Sequence, residues 1–326
     1  MEEAAGPVLV TGLPRTGTSW VGKMLEAGGE LVYVNEPLNP QHPPGRSPGV
    51  LDAEVTHRFQ YICPDNERDW LPAFADTVGL RYRVLPEVRR NRSAYDLPRM
   101  AKYYRSFTVG RLRGRRALLD DPFAVLSVRW LTDRLGARSV VLVRDPVALV
   151  GSWRRLGWTV YFHELLEQPL LVRDLLGPYE DRLRRLVGSQ DHVAKIALLW
   201  SAVYAAVDRV RTGDPRIQVV RYEDLATDPV RGFGDLYRHL CLRWSDAVRT
   251  RVEEATTATG GTEKPHPWRL RGGVSRTAFR PMDSRAALRS ARDRLSPAEV
   301  ERVRELTADV AARFYPEQRG PDGDPR

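Results

Sequence analysis

Hydrophobic positions along the 326-residue chain follow two different periods. Short continuous apolar runs, many of them β-branched, occur at Val8-Leu9-Val10, Leu31-Val32-Tyr33-Val34, Ala117-Leu118-Leu119, Val140-Val141-Leu142-Val143 and Ile217-Gln218-Val219-Val220. Runs of this length predict strands buried on both faces of a parallel sheet. Between them, apolar residues recur every three or four positions, as a helix face requires. Val21, Met24 and Leu25 form one such face. Val125, Val128, Leu131 and Leu135 form another, in a helix expected to start at Pro122. Val147, Val150 and Trp153 follow the fourth strand, with Ser152 on the second turn. Residues 191–211 carry a single stripe of Ile196, Leu199, Trp200, Val203, Val207 and Val210. Ser296-Pro297-Ala298-Glu299 is a capping box with proline at the first helical position. It opens a helix with Val300, Val303, Leu306, Val310 and Phe314 on one face.

Strands that alternate with helices predict an α/β fold, a mainly parallel sheet with helices on both faces. The pattern weakens elsewhere. Residues 40–50 are rich in Pro and Gly and read as loop, residues 51–110 as helices and loops of low periodicity, and 317–326 as a disordered tail. The turns at Gly12, Glu36, Asp120, Arg144 and Tyr222 each follow a strand, so they are expected to meet along one sheet edge, where such folds bind ligands.

The first of these turns carries the chemistry. Gly12, Pro14 and Gly17 break regular structure between a buried strand and a helix that starts at Thr18. That layout aims free amides and the positive helix end at an anion. The spacing Gly12, Gly17, Thr18, Ser19 approaches the nucleotide P-loop, which makes the sheet P-loop-type. The lysine of that loop is replaced by Thr18, and a guanidinium appears inside the loop at Arg15.

Thr11-Gly12-Leu13-Pro14-Arg15-Thr16-Gly17-Thr18-Ser19-Trp20 resembles the 5′-phosphosulfate loop of sulfotransferases that use 3′-phosphoadenosine 5′-phosphosulfate (PAPS). The family pattern T-G-x-P-[KR]-[ST]-G-[TS]-[TS]-[WF] fits throughout. The resemblance implies that Arg15 contacts the phosphosulfate, that the amides and hydroxyls of Thr16, Gly17, Thr18 and Ser19 cradle the 5′-phosphate, and that Trp20 lies near the adenine. Arg144-Asp145-Pro146 at the end of a strand, with Ser152 on the helix that follows, resembles the family's 3′-phosphate site. Arg221-Tyr222-Glu223-Asp224-Leu225 resembles a third family segment, with Tyr222 towards the nucleotide. Arg271-Gly272-Gly273-Val274-Ser275-Arg276 resembles the loop that closes over the 3′-phosphate, which implicates Arg271 and Arg276.

The resemblance implies one domain over residues 1–316, with residues of about 36–115 covering the acceptor. It also implies PAPS as co-substrate, no metal, and a small-molecule acceptor hydroxyl on a sugar, glycolipid or natural product. Asn35-Glu36-Pro37-Leu38 resembles the turn of carbohydrate and trehalose sulfotransferases whose glutamate is the proposed base, which makes Glu36 the candidate base and leaves His42, His57 and Asp120 as alternatives. The chain departs from the family at Asp120-Asp121-Pro122, where bacterial relatives often carry Lys-x-Pro.

Composition narrows the alternatives. A net charge of +9 admits a nucleic-acid binder, but arginines are spread along the chain with no recognition motif and no basic stripe with interleaved aromatics. Cys63 and Cys241 lie far apart and no Cys/His spacing matches a zinc site. The acidic start is no signal peptide, and the longest apolar stretch, Ile196 to Val207, is too short to cross a bilayer, so a cytoplasmic location is expected. A second enzyme class stays open, a small-molecule kinase with a degenerate P-loop, in which Leu118-Leu119-Asp120 would be the Mg²⁺-holding strand.

Overall fold

The computed structural model describes residues 6–40, 49–90, 94, 97–257 and 295–316. Among them, five strands form one parallel sheet: β1 (Val8–Gly12), β2 (Leu31–Asn35), β3 (Arg116–Asp120), β4 (Arg138–Val143) and β5 (Ile217–Arg221), in the order β2-β3-β1-β4-β5. The register brings their C-terminal ends level. Asn35 and Val10 both lie opposite Asp120, Gly12 opposite Leu142, and Val143 opposite Arg221. The five turns therefore share one edge, as the alternation predicts.

Side chains alternate across each strand, so each strand feeds two cores. Leu9, Val141 and Val143 face one core, and Val8, Val10, Val140 and Leu142 face the other. The second core is closed by α1 (Thr18–Glu26), through Val21, Met24 and Leu25. The long β2–β3 connection holds α2 (Leu71–Val78), α3 (Val84–Arg90) and α4 (Leu97–Leu112), and α4 comes against edge strand β2 where Gly110 meets Val32. After β3 come a 3₁₀ turn (Pro122–Ser127) and α5 (Val128–Leu135). Between β4 and β5 lie α6 (Pro146–Leu156), α7 (Phe162–Leu166), α8 (Pro169–Leu171), α9 (Glu180–Arg185) and α10 (His192–Arg211). The chain continues with α11 (Tyr222–Thr227), α12 (Pro229–His239), α13 (Asp246–Thr257) and α14 (Pro297–Phe314). Phe233, Leu236 and Tyr237 of α12 complete the core of α1, while α6, α10 and α14 serve the opposite one. Thus α1 and α6 leave adjacent strands β1 and β4 on opposite faces of the sheet, and a crevice opens between their starts.

Short-range chemistry fixes the helix ends. Asp145 accepts from the Ala148 amide at 2.9 Å, Asp191 from Ala194 at 3.0 Å, and the Ser296–Glu299 capping box forms in both directions. Two expectations need correction. The segment expected to be one helix from Pro122 opens as a 3₁₀ turn, and α5 begins only at Val128. One local cap and two long-range bonds hold the tighter coil. Asp121 takes the Phe123 amide at 2.9 Å, and Ser127 Oγ donates to the Gln60 carbonyl at 2.8 Å while accepting from the Ile62 amide at 2.9 Å. Nor is α10 buried along a single stripe. Every residue from Val193 to Val207 is buried, because the sheet covers one side and α14 another.

Candidate active site

The loop after β1 has the backbone that its glycines predict. Gly12 has φ 145°, and a Cβ there would run into the Leu142 carbonyl of β4. Gly17 has φ 102° and caps α1 in the left-handed conformation, with no side chain on the capping bond. A Cβ at Gly17 would lie 2.7 Å from Tyr222 Cδ2. Arg15 also sits in the left-handed region, at φ 78°. The amides of the first turn of α1 have no intrahelical acceptor and form the anion-binding end of the helix.

The loop is held by its backbone. Trp153 of α6 donates its indole N–H to the Pro14 carbonyl at 2.8 Å. Tyr204 of α10 donates to the Leu142 carbonyl at 2.8 Å and accepts from the Leu13 amide at 3.3 Å. Thr16 turns inward, with its amide and hydroxyl reaching the Leu13 carbonyl at 3.1 and 2.7 Å. Thr18 is buried. The Thr16 hydroxyl thus serves the protein's own frame, while Ser19 and Trp20 stay half-buried.

Three segments distant in sequence come together here. Arg144 donates from Nη1 to the Arg15 carbonyl at 2.9 Å. Its guanidinium lies 4.6 Å from the Tyr222 ring centroid, over the ring. Tyr222 meets Trp20 edge-on at 5.7 Å, and Trp20 meets Phe233 at 5.3 Å. Arg144 is in turn fixed by Trp200, whose indole N–H donates to its carbonyl at 2.9 Å. The Arg144 Nε is buried and has no hydrogen-bond partner among the described residues, so the guanidinium keeps donor capacity for an anion. Ser152 is buried on the second turn of α6. Behind Tyr222, Glu223 accepts from the Asp145 amide and the Tyr315 hydroxyl, each at 3.0 Å, and burial raises its pKa.

At the β2–β3 end the chemistry is acidic. Glu36 follows β2 with φ 44°, and its amide donates to the Asp120 carbonyl at 2.8 Å. Its carboxylate accepts from Asn39 Nδ2 at 2.6 Å, and its side chain is half-buried. Asp120 is 1% exposed and accepts from the Tyr33 hydroxyl. Burial pushes its pKa up to about 7, with the Glu36 charge adding to the rise and bonds from Tyr33 and Thr18 and the Lys23 charge opposing it. The same carboxylates and burial drive the Tyr33 phenol far up. Asp121 is structural: Leu38 and Phe123 donate their amides to its carboxylate, and Thr11 donates to its carbonyl.

Of the alternative bases, His57 Nε2 lies 3.5 Å from the carboxylate of Glu167, the residue after α7. His42, Arg271, Arg276 and the 317–326 tail lie outside the described residues. Sequence reasoning missed Tyr33, Tyr204 and Trp200. Trp200 and Tyr204 are marked only by belonging to an apolar helix, and the Tyr33–Asp120 contact joins positions 87 apart. Cys63 and Cys241 are free thiols. Among the described residues, no group of three His, Cys, Asp or Glu could hold a metal ion, and no helix is long and apolar enough to cross a membrane.

A family model described as "Sulfotransferase family" matches residues 7–246. No curated protein matches the chain. Solved structures that resemble it include the sulfotransferase domain from the curacin biosynthetic pathway, at 13% identity over 93% of this chain and 97% of that one, with a TM-score of 0.47. Sulfotransferase STF9 from Mycobacterium avium is 16% identical over 96% and 77%, TM-score 0.42, and mouse SULT7A1 complexed with PAP is 11% identical over 98% and 86%, TM-score 0.39. The family match spans most of the chain, including the loop after β1, Arg144 and Tyr222; the chain belongs to the sulfotransferase family.

Proposed function

We propose, on the premise of that family membership, that the chain takes a sulfuryl group from PAPS and passes it to the hydroxyl of a small organic acceptor. One observation carries the choice of PAPS. Arg144, with a buried Nε that has no hydrogen-bond partner among the described residues, packs over Tyr222, which packs on Gly17 of the phosphate loop. That gives two anion sites joined by an aromatic wall, which matches a nucleotide with phosphates at both its 5′ and 3′ positions. The absence of Cβ at Gly17 and the first turn of α1 suit a 5′-phosphate, and Arg144 with Ser152 suits a 3′-phosphate.

In this reading the acceptor oxygen forms its bond to sulfur as the bond from sulfur to the 5′-phosphate oxygen breaks, and the leaving phosphate keeps the electron pair. Arg15 and the N-terminus of α1 meet the charge that grows on that phosphate. Glu36 takes the hydroxyl proton. Glu36 suits this better than Asp120, because it is half-buried whereas Asp120 is enclosed and bonded to Tyr33. The Asn35–Asn39 turn and the covering segments of 36–115 then frame the acceptor.

The test is calorimetry with 3′-phosphoadenosine 5′-phosphate (PAP), joined to a mass-spectrometric screen of hydroxyl acceptors with PAPS. Wild-type protein is expected to bind PAP, and Arg144→Ala to bind it about 10–100-fold more weakly, as loss of a charged hydrogen bond predicts. At least one acceptor is expected to gain a single sulfuryl group. No PAP binding by the wild type, or equal binding by the variant, would remove this reading of the Arg144 site.

A further inference from the structure

Beyond the sheet edge, α10 runs on past the residues that hold the phosphate loop. Lys195 precedes Trp200 by five residues, which is about 7–8 Å at the helical rise of 1.5 Å per residue. It lines a cavity of about 260 Å³. From the phosphate loop, Trp153 holds the Pro14 carbonyl, Trp158 meets Trp153 edge-on at 5.7 Å, and Thr159, the next residue in the chain, lines the cavity.

The charge in this cavity has one sign. Lys195 is 7% exposed, yet its ammonium reaches only the Ser189 carbonyl, at 3.3 Å, and the face of Phe162, at 6.0 Å. Ser189 and Phe162 are both wall residues, so the ammonium stands at the cavity surface. Among the described residues, Lys195 makes no ion pair and no Asp or Glu lines the cavity. Exposed His163 and His192 sit at the mouth, with His192 Nδ1 3.2 Å from Thr159 Oγ1. The nearest acid in sequence, Asp191, is committed to the Ala194 amide and to Arg302. A part-buried ammonium without a counter-charge carries a desolvation cost, and burial lowers the Lys195 pKa accordingly. The residue type is also selective. The chain has 51 Lys and Arg, of which only Lys23, Lys102, Lys195 and Lys264 are lysines. A compact point charge with two donors left over suits the binding of a small anion.

We propose that this cavity is a second anion subsite, separate from the nucleotide, that takes a carboxylate, sulfate or phosphate group borne by the acceptor. The identity of the occupant as acceptor rests on the sulfuryl-transfer reading above; the existence of the anion site does not. The same chemistry would hold a free inorganic anion, and the experiment separates the two sources.

In the full-length wild type, inorganic phosphate is titrated while acetylation of each lysine is followed by mass spectrometry. Phosphate is expected to protect Lys195 and leave Lys23 and Lys102 unprotected. Calorimetry on PAP-saturated protein is expected to show phosphate binding that falls about tenfold or more in Lys195→Met and is largely kept in Lys195→Arg. Acetylation of Lys195 that ignores phosphate in the wild type overturns the site whether or not the variants fold. In turnover with PAPS, 4-hydroxyphenylacetate is expected to show a KM about tenfold below that of its neutral amide, with phosphate competing against the acid. Protection of Lys195 without that preference assigns the cavity to a free anion and removes the acceptor. Failure of PAP to bind leaves the protection result standing and counts only against the nucleotide reading.

Discussion

The two halves of the sheet edge solve opposite electrostatic problems. On the β1–β4 side, helix-start amides and a guanidinium come together, and the frame is made from carbonyls gripped by Trp153, Trp200 and Tyr204. On the β2–β3 side, the Glu36 and Asp120 carboxyls meet the neutral Tyr33 phenol in one corner, with Lys23 beside it. In the proposed reading the first side meets charge that arrives with a substrate, and the second sets Glu36 beside a carboxyl whose pKa burial raises. Phosphate recognition would then be a property of chain geometry, and proton transfer a property of long-range side-chain pairing.

The contrast is sharpest at Glu36. If proton acceptance belongs to the acidic side, Glu36→Gln should bind PAP as the wild type does and lose about 10²–10⁴ in kcat. Near-normal turnover would hand the role to another group. Next comes Asp120, whose folded pKa of about 7 lies above its value in the unfolded chain. A raised carboxyl pKa stabilises the fold fully below the unfolded value and loses that contribution as pH climbs through the folded one. The stability of the wild type relative to Asp120→Asn should therefore fall between about pH 4 and pH 7, by at most about 4 kcal/mol, and level off above. Urea denaturation across that range reads it, and a pH-independent difference would show that Asp120 is not held protonated.

On the phosphate side, Gly17→Ala adds a Cβ against Tyr222 at a left-handed φ, a strain of about 1–3 kcal/mol. PAP affinity should fall while the fold persists, measured by calorimetry alongside circular dichroism. Unchanged affinity would mean that the loop mouth tolerates bulk. The smallest effect is expected at Tyr204→Phe, which strips one donor from the Leu142 carbonyl and one acceptor from the Leu13 amide. A loss of about 1 kcal/mol in stability is expected, and a value near zero would reduce that brace to packing.

How far the sequence reveals each half follows from the same contrast. The Gly12–Trp20 turn and the strand end and helix start at Arg144-Asp145-Pro146 are runs of near neighbours whose spacing carries their backbone geometry, so that local geometry could be read before any fold was known. Glu36 could be placed at a strand end, but its corner could not be read, because Tyr33 and Asp120 meet only through the pairing of β2 with β3. Lys195 is harder still. It sits in a helix whose apolar period dominates, and only the wrapping of α10 on nearly all sides turns it into a buried cation. The 3₁₀ turn after β3 was invisible for a related reason, since Gln60 and Ile62 impose it from a loop more than sixty residues away.

The grips of Trp153, Trp200 and Tyr204 all fall on backbone oxygens, those of Pro14, Arg144 and Leu142. A carbonyl is present whatever residue the gene encodes. Drift at position 15 can therefore exchange the loop's cation, lysine for arginine among the choices, without loosening these three clamps. The frame is heritable apart from the chemistry it presents, so a change of donor or acceptor preference can be explored one codon at a time on a loop whose shape is already secured.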